Sequence, residues 1–206
     1  MKKILYLLTF AIISINCKAQ LTLVPIQDQN PDDIQSNTYL VDSDNLLNPY
    51  IGTWVYTNGT TSLKIVLRKE INNDNGYYRE DLIYGEYQYI KDGIEKINTL
   101  PQIDVVFQIQ KKHTIGGNYI LSKNETTRCN DCEEDEKRLL VYMNDPLKET
   151  AANVVLRRIV YDGNPALSAS ILFDGIKETG FIVEETVTEY VTNTIANGNY
   201  ILIKQP

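Results

Sequence analysis

The stretch Asn48-Pro49-Tyr50-Ile51-Gly52-Thr53-Trp54-Val55-Tyr56 decides how the chain is read. Ahead of it, residues 20–47 are rich in Gln, Asn, Asp and Ser and are interrupted by Pro25 and Pro31. Behind it, one β-like run follows another. Leu46 and Leu47 with Asn48-Pro49 suit a short helical turn that presses two leucines onto a floor, and Gly52 lets the backbone swing from that turn into a strand. Trp54, the only tryptophan in 206 residues, comes two positions later. The expectation is an all-β domain over 48–206 in which this ring plugs one end of a barrel.

Working outward, Thr53 to Thr57 reads as the first strand and Asn58-Gly59 as a hairpin turn. Ser62 to Ile71 alternates cleanly: Leu63, Ile65, Leu67 and Ile71 on one face, Lys64, Val66, Arg68 and Glu70 on the other. A period of two marks an antiparallel strand with one face buried. Asn72 to Gly76 is a turn. Tyr77 to Ile90 is a long strand with a bend or bulge at Gly85, and Ile94 to Leu100 returns beside it as the third member of a meander. Residues 101–112, with Val105, Val106, Phe107 and Ile109, read as a further strand. Further strands are read at 118–122, 137–143, 153–161, 167–173 and 200–204. Residues 178–195 are β-rich but ambiguous. About eight to ten strands and no helix predict an antiparallel meander closing into a barrel.

Gly52-Thr53-Trp54 at the head of such a meander resembles the opening of the calycins, the lipocalins and fatty-acid-binding proteins. The resemblance implies a lipocalin-like barrel whose Trp54 packs across the closed end with a cation from the last strand over its ring. Lys204 matches that cation, with Arg157 and Arg158 as alternatives. The chain lacks a Thr-Asp-Tyr-like second motif and offers Lys where Arg is usual. In layout, Lys18-Ala19-Gln20, Asn48 to Trp54, Asn144-Asp145-Pro146 and Tyr200 to Lys204 are similar to small exported proteins of Gram-negative bacteria whose domain has no assigned function. That likeness implies no activity.

Lys2 and Lys3 before the apolar run Ile4 to Ile15, ending at Cys17-Lys18-Ala19, read as a signal peptide over 1–19. The chain is then exported, periplasmic or secreted, with Gln20 as its first mature residue. The alternative is an outer-membrane lipoprotein with the lipid on Cys17, although Ser14 and Asn16 fit a lipobox poorly. Losing Lys2, Lys3 and Lys18 and no acid moves the formal charge from −7 to −10. That excess disfavours nucleic acid and anionic membrane surfaces as partners. Residues 20–47 read as a solvated polar leader with at most a short strand at Tyr39-Leu40-Val41. Asp28, Asp32, Asp33, Asp42 and Asp44 lack the spacing of a calcium loop.

Chemistry is sparse. His113 is the single histidine, follows Lys111-Lys112 and reads as a surface side chain. It cannot make a two-histidine zinc site and has no Gly-x-Ser-x-Gly elbow with it. Gly116-Gly117 lacks the lysine of a phosphate loop. Glu80/Asp81, Glu133 to Glu136 and Glu184/Glu185 read as solvated acids rather than a hydrolytic pair. Cys129 and Cys132 favour a disulfide stapling a loop in an oxidising compartment; a metal site, a redox pair and free thiols remain alternatives. No cofactor is expected and no enzymatic activity. Two functions stand: a barrel holding a small apolar ligand, or a filled barrel that meets an envelope or secreted partner through its surface, with the tyrosines of 77–89 presenting contacts.

Overall fold

The computed structural model describes residues 21–107, 109–123, 125, 129, 131–173, 176–182, 185–190 and 192–206. The expected signal peptide, the Cys17 lipidation site and Glu184 lie outside them. The strands are β1 (Thr22–Pro25), β2 (Thr38–Val41), β3 (Gly52–Asn58), β4 (Thr61–Asp74), β5 (Arg79–Lys91), β6 (Ile94–Asn98), β7 (Ile115–Leu121), β8 (Arg138–Asp145), β9 (Thr150–Tyr161), β10 (Asn164–Phe173), β11 (Ile176–Ile182), β12 (Glu185–Tyr190) and β13 (Gly198–Lys204). The helical pieces among the described residues are 3-10 turns of three residues.

Eight of these strands close on themselves in the order β3-β4-β5-β7-β8-β9-β10-β13 and back to β3, all antiparallel. The barrel is therefore an up-and-down meander, as the alternating strands predict. Two excursions interrupt it. β6 folds back on the outer part of β5, and β11 pairs with β12 as a separate ribbon.

The register explains why the interior is one core. Trp54 pairs with Ile65 and Ile65 with Tyr87, so three buried side chains line up across β3, β4 and β5. Leu139, Leu156, Ala169 and Tyr200 do the same across β8, β9, β10 and β13. All of these belong to a single cluster of buried residues, together with Leu63, Leu67, Met143, Ile171 and Leu202. Side chains two apart on a strand share a face, so every inward position of the period-two pattern feeds this cluster.

Four expectations are corrected. The leader is not solvated: β1 and β2 pair in parallel, β2 joins the end of β5, and Ile26, Leu40 and Leu47 are fully buried in the core cluster. Residues 101–112 are not a strand but a covering segment with 3-10 turns at Leu100–Gln102 and Gln110–Lys112. Its apolar residues pack sideways or stay out, Val106 at 85% exposure. The third strand of the meander is β7 rather than β6. Gly85 is no bulge either. It pairs in register with Leu67, and the irregularities of the β4–β5 and β5–β6 ladders fall between Glu70 and Asn73 and between Tyr89 and Ile90.

Candidate functional site

The base of the barrel is built by residues 46–56. A 3-10 turn, Asn48–Tyr50, puts Leu47 and Tyr50 into the core. The Trp54 indole nitrogen donates to the Tyr50 carbonyl at 2.8 Å, and the ring is 2% exposed. The Lys204 ammonium lies 5.2 Å from the ring centroid, a favourable contact between a cation and the negative face of an aromatic. Gly52 has φ +136°, a backbone conformation that favours glycine, and a Cβ there would press on the Lys204 side chain at 3.2 Å. Burial pushes the Tyr50 hydroxyl up to about 12, with nearby Arg158 offsetting part of the rise.

A buried carboxylate fastens the leader to this base. Asp42 accepts from the backbone of Leu46 at 2.7 Å and Leu47 at 3.1 Å and from the Lys69 ammonium at 2.6 Å. Asp81 accepts from the Tyr39 hydroxyl at 2.6 Å and from the backbone of Asp42 and Asn72. Burying two carboxylates is tolerable because each is surrounded by donors.

On the outer wall, β5 presents Glu86, and the segment leading into β7 folds over it. His113 Nδ1 stands 2.7 Å from Glu86 Oε1, and its Nε2 stands 3.0 Å from Gln110 Oε1. Thr114 donates to Glu86 Oε2 at 2.6 Å. Thr99 reaches Thr114 at 3.1 Å and bonds the Tyr87 backbone through both its amide and its hydroxyl. Tyr84 lies tilted against the imidazole at 4.6 Å and Phe107 edge-on at 4.8 Å. The histidine and the glutamate have no exposed surface. The expectation of a surface histidine is thus corrected: a partner 27 residues away in sequence makes its burial affordable. Glu80, equally buried, accepts from Asn75 and Asn118. Tyr142 is driven well above its ordinary range, by burial first and then by Glu80 and Glu86. Sealed this way, the cluster holds a segment down and offers no face to a substrate.

The tyrosines of 77–89 do not form an exposed patch. Tyr87 and Tyr89 point into the core, Tyr84 lies under His113, and Tyr77 is the one that stands out at 60% exposure. The outer wall is instead open where β3 meets β13. Their ladder pairs Val55 with Ile203 and Trp54 with Lys204, and the Gln205 amide extends it by donating to the Thr53 carbonyl at 2.8 Å. Beyond it lies a cleft of about 500 Å³ bordered by Val55, Thr57, Tyr161, Ile201 and Ile203.

Cys129 and Cys132 form a disulfide, with Cα atoms 5.4 Å apart. Arg157 moors this loop to β9, pairing with Glu136 at 2.6 Å and with Asp131 at 2.8 Å. The guanidinium hydrogen bond holds both carboxyls below their usual range. Glu134 pairs with Lys123. Among the described residues no group of three or more His, Cys, Asp or Glu is disposed to hold a metal, and no helix is long and apolar enough to cross a membrane.

A closed eight-stranded antiparallel barrel with a tryptophan across its base defines the class of protein. The chain belongs to a family of unknown function, DUF6705, whose model matches residues 1–205. No curated protein and no solved structure matches it.

Proposed function

We propose that the protein is exported and acts without chemistry of its own, as an interaction protein that presents the outer wall of a filled lipocalin-like barrel to an envelope or secreted partner. The observation that carries this reading is the interior. Where a ligand-holding barrel would leave space, Trp54, Tyr87, Met143, Leu156 and Leu202 pack as one cluster, each at most 2% exposed. The walled-in His113 supports a non-enzymatic role. The Lys2-Lys3 start and the apolar run to Ile15 support export.

The seam between β3 and β13 is where this reading sets the partner. The register would bring Ile201 opposite Thr57, yet the ladder ends at Ile203 and Val55. An extended segment of a partner would find backbone groups there and alternate apolar side chains beside them, the ingredients of strand addition. Native mass spectrometry of the protein purified from its own cells tests the reading. The expected species is a chain beginning at Gln20 that carries no apolar ligand and, under mild conditions, a second polypeptide. A stoichiometric apolar molecule released on denaturation would overturn the filled-barrel reading in favour of the ligand carrier. A lipid mass on Cys17 would move the protein to the outer membrane.

A further inference from the structure

At the base, a small cleft of about 190 Å³ opens beside the turn that precedes β3. Leu46, Pro49, Ile120 and the ring of Tyr50 give it apolar walls, and Lys137 and Arg158 give it two cations. The other described arginines are engaged: Arg68 by Asp104, Arg79 by Asp74, Arg138 by the Ser122 carbonyl, Arg157 by Glu136 and Asp131. Among the described residues Arg158 meets no carboxylate and no other acceptor, and Lys137 makes no ion pair, in a chain with seven more acids than bases. Asp44 also borders the cleft, but its Oδ2 accepts from Gln27 at 2.8 Å.

We propose that this cleft binds a small organic monocarboxylate with a short apolar chain, its carboxylate held by Arg158 and Lys137 and its chain lying on Leu46, Pro49 and Ile120. A planar guanidinium matches a carboxylate with two parallel hydrogen bonds, and the ammonium adds a point charge. The size sets the ligand: liquid water takes about 30 Å³ per molecule, so the space holds roughly six waters or one short-chain acid. Drug-sized molecules need at least about 300 Å³. Asp44 on the rim disfavours a second negative charge, which selects a monoanion over phosphate.

The molecule carries its own reporter, because Tyr50 lines the cleft and its carbonyl receives the Trp54 indole proton. Full-length protein is titrated with sodium butyrate, followed by tryptophan fluorescence and by amide chemical shifts, with butanol and inorganic phosphate in parallel. Saturable butyrate binding is expected, at least tenfold tighter than butanol or phosphate. Arg158→Gln and Lys137→Gln, both at exposed positions, are each expected to weaken it at least fivefold. Asp44→Asn is expected to tighten it about threefold, a gain that no unfolding can mimic. Non-saturating butyrate, butanol or phosphate binding as tightly as butyrate, or unchanged affinity in the Arg158 and Lys137 variants would overturn the proposal.

Discussion

Between β5 and β7 the barrel wall is held by three residue pairs, and between β3 and β13 by two. At the first seam the chain returns over its own outer surface. His113 and Thr114 bond Glu86, Gln110 and Thr99 brace them from behind, and no part of the glutamate or histidine is exposed. At the second seam Val55, Tyr161, Ile201 and Ile203 border an open cleft. A buried charge requires a partner and an apolar edge requires cover. The first seam satisfies both needs from within the chain. The second leaves its edge open, so stability should concentrate at the one and tolerance to substitution at the other.

The largest effect is expected at the sealed seam. His113→Ala strips Glu86 Oε1 of its partner inside a site that excludes water. Breaking a buried pair from one side costs about 3–5 kcal/mol. Urea unfolding of the variant should show the midpoint fall accordingly, and Glu86→Gln combined with His113→Ala should cost less than the two changes added together. An unchanged midpoint in His113→Ala would mean that this seam is held by its ladder alone.

Gly85→Ala comes next. On β5, Gly85 pairs with both Leu67 and Ile115, and a Cβ there would stand 2.4 Å from the Val66 carbonyl oxygen. That neighbour is backbone and cannot swing aside, so β4 and β5 must separate locally. Overpacking of this kind costs about 1–3 kcal/mol, read as a lower thermal midpoint with the folded β spectrum retained.

These two residues also show what the sequence discloses. Period-two alternation in Leu63, Ile65 and Leu67 announces a half-buried strand because each strand face is a local property. Gly52 and Trp54 announce the base because a tight approach and a single large ring leave marks in composition. The partner of β5 leaves none. β6 follows it through the local Lys91-Asp92-Gly93 turn, whereas β7 arrives 24 residues later, and only three-dimensional closure selects it. His113 looks exposed beside Lys111-Lys112 because Glu86 lies far off in sequence. The leader looks solvated because its three core residues, Ile26, Leu40 and Leu47, are spread thinly among polar ones. The base cleft was invisible because it forms where 44–50, Lys137 and Arg158 meet from distant strands.

A smaller effect separates the seams by pH. Behind the open seam Tyr200 packs edge-on against Tyr56 and donates to the Ala196 carbonyl at 2.7 Å. Burial, then the neighbouring Tyr89 and Tyr56, push its hydroxyl from 10 up to about 12. The folded state therefore holds this proton where the unfolded chain has lost it. Its contribution is complete below pH 10 and drains away as pH rises through 12. At pH 11 the loss is about 1.4 kcal/mol. Tyr200→Phe should lower the midpoint at pH 8 through the lost hydrogen bond, yet narrow the gap between pH 8 and pH 11 by that amount. An identical gap in both proteins would mean that Tyr200 titrates as an exposed phenol and that the open seam admits water to it.

The smallest effect is the most discriminating. Ile201→Lys places a charge on the outer face of β13, beside the cleft, where water already reaches. A surface change away from buried networks alters stability by no more than about 0.5 kcal/mol, so the urea midpoint should barely move. Any partner that adds a strand to the seam meets the change directly: the ammonium must be desolvated against its apolar side chains, and the complex that the proposal expects in native mass spectrometry should be lost. A drop in stability comparable to Gly85→Ala would reveal that β3 and β13 are packed as tightly as β5 and β7. The contrast between a sealed and an open closure would then fail, and the surface role drawn from it would have no seat on the molecule.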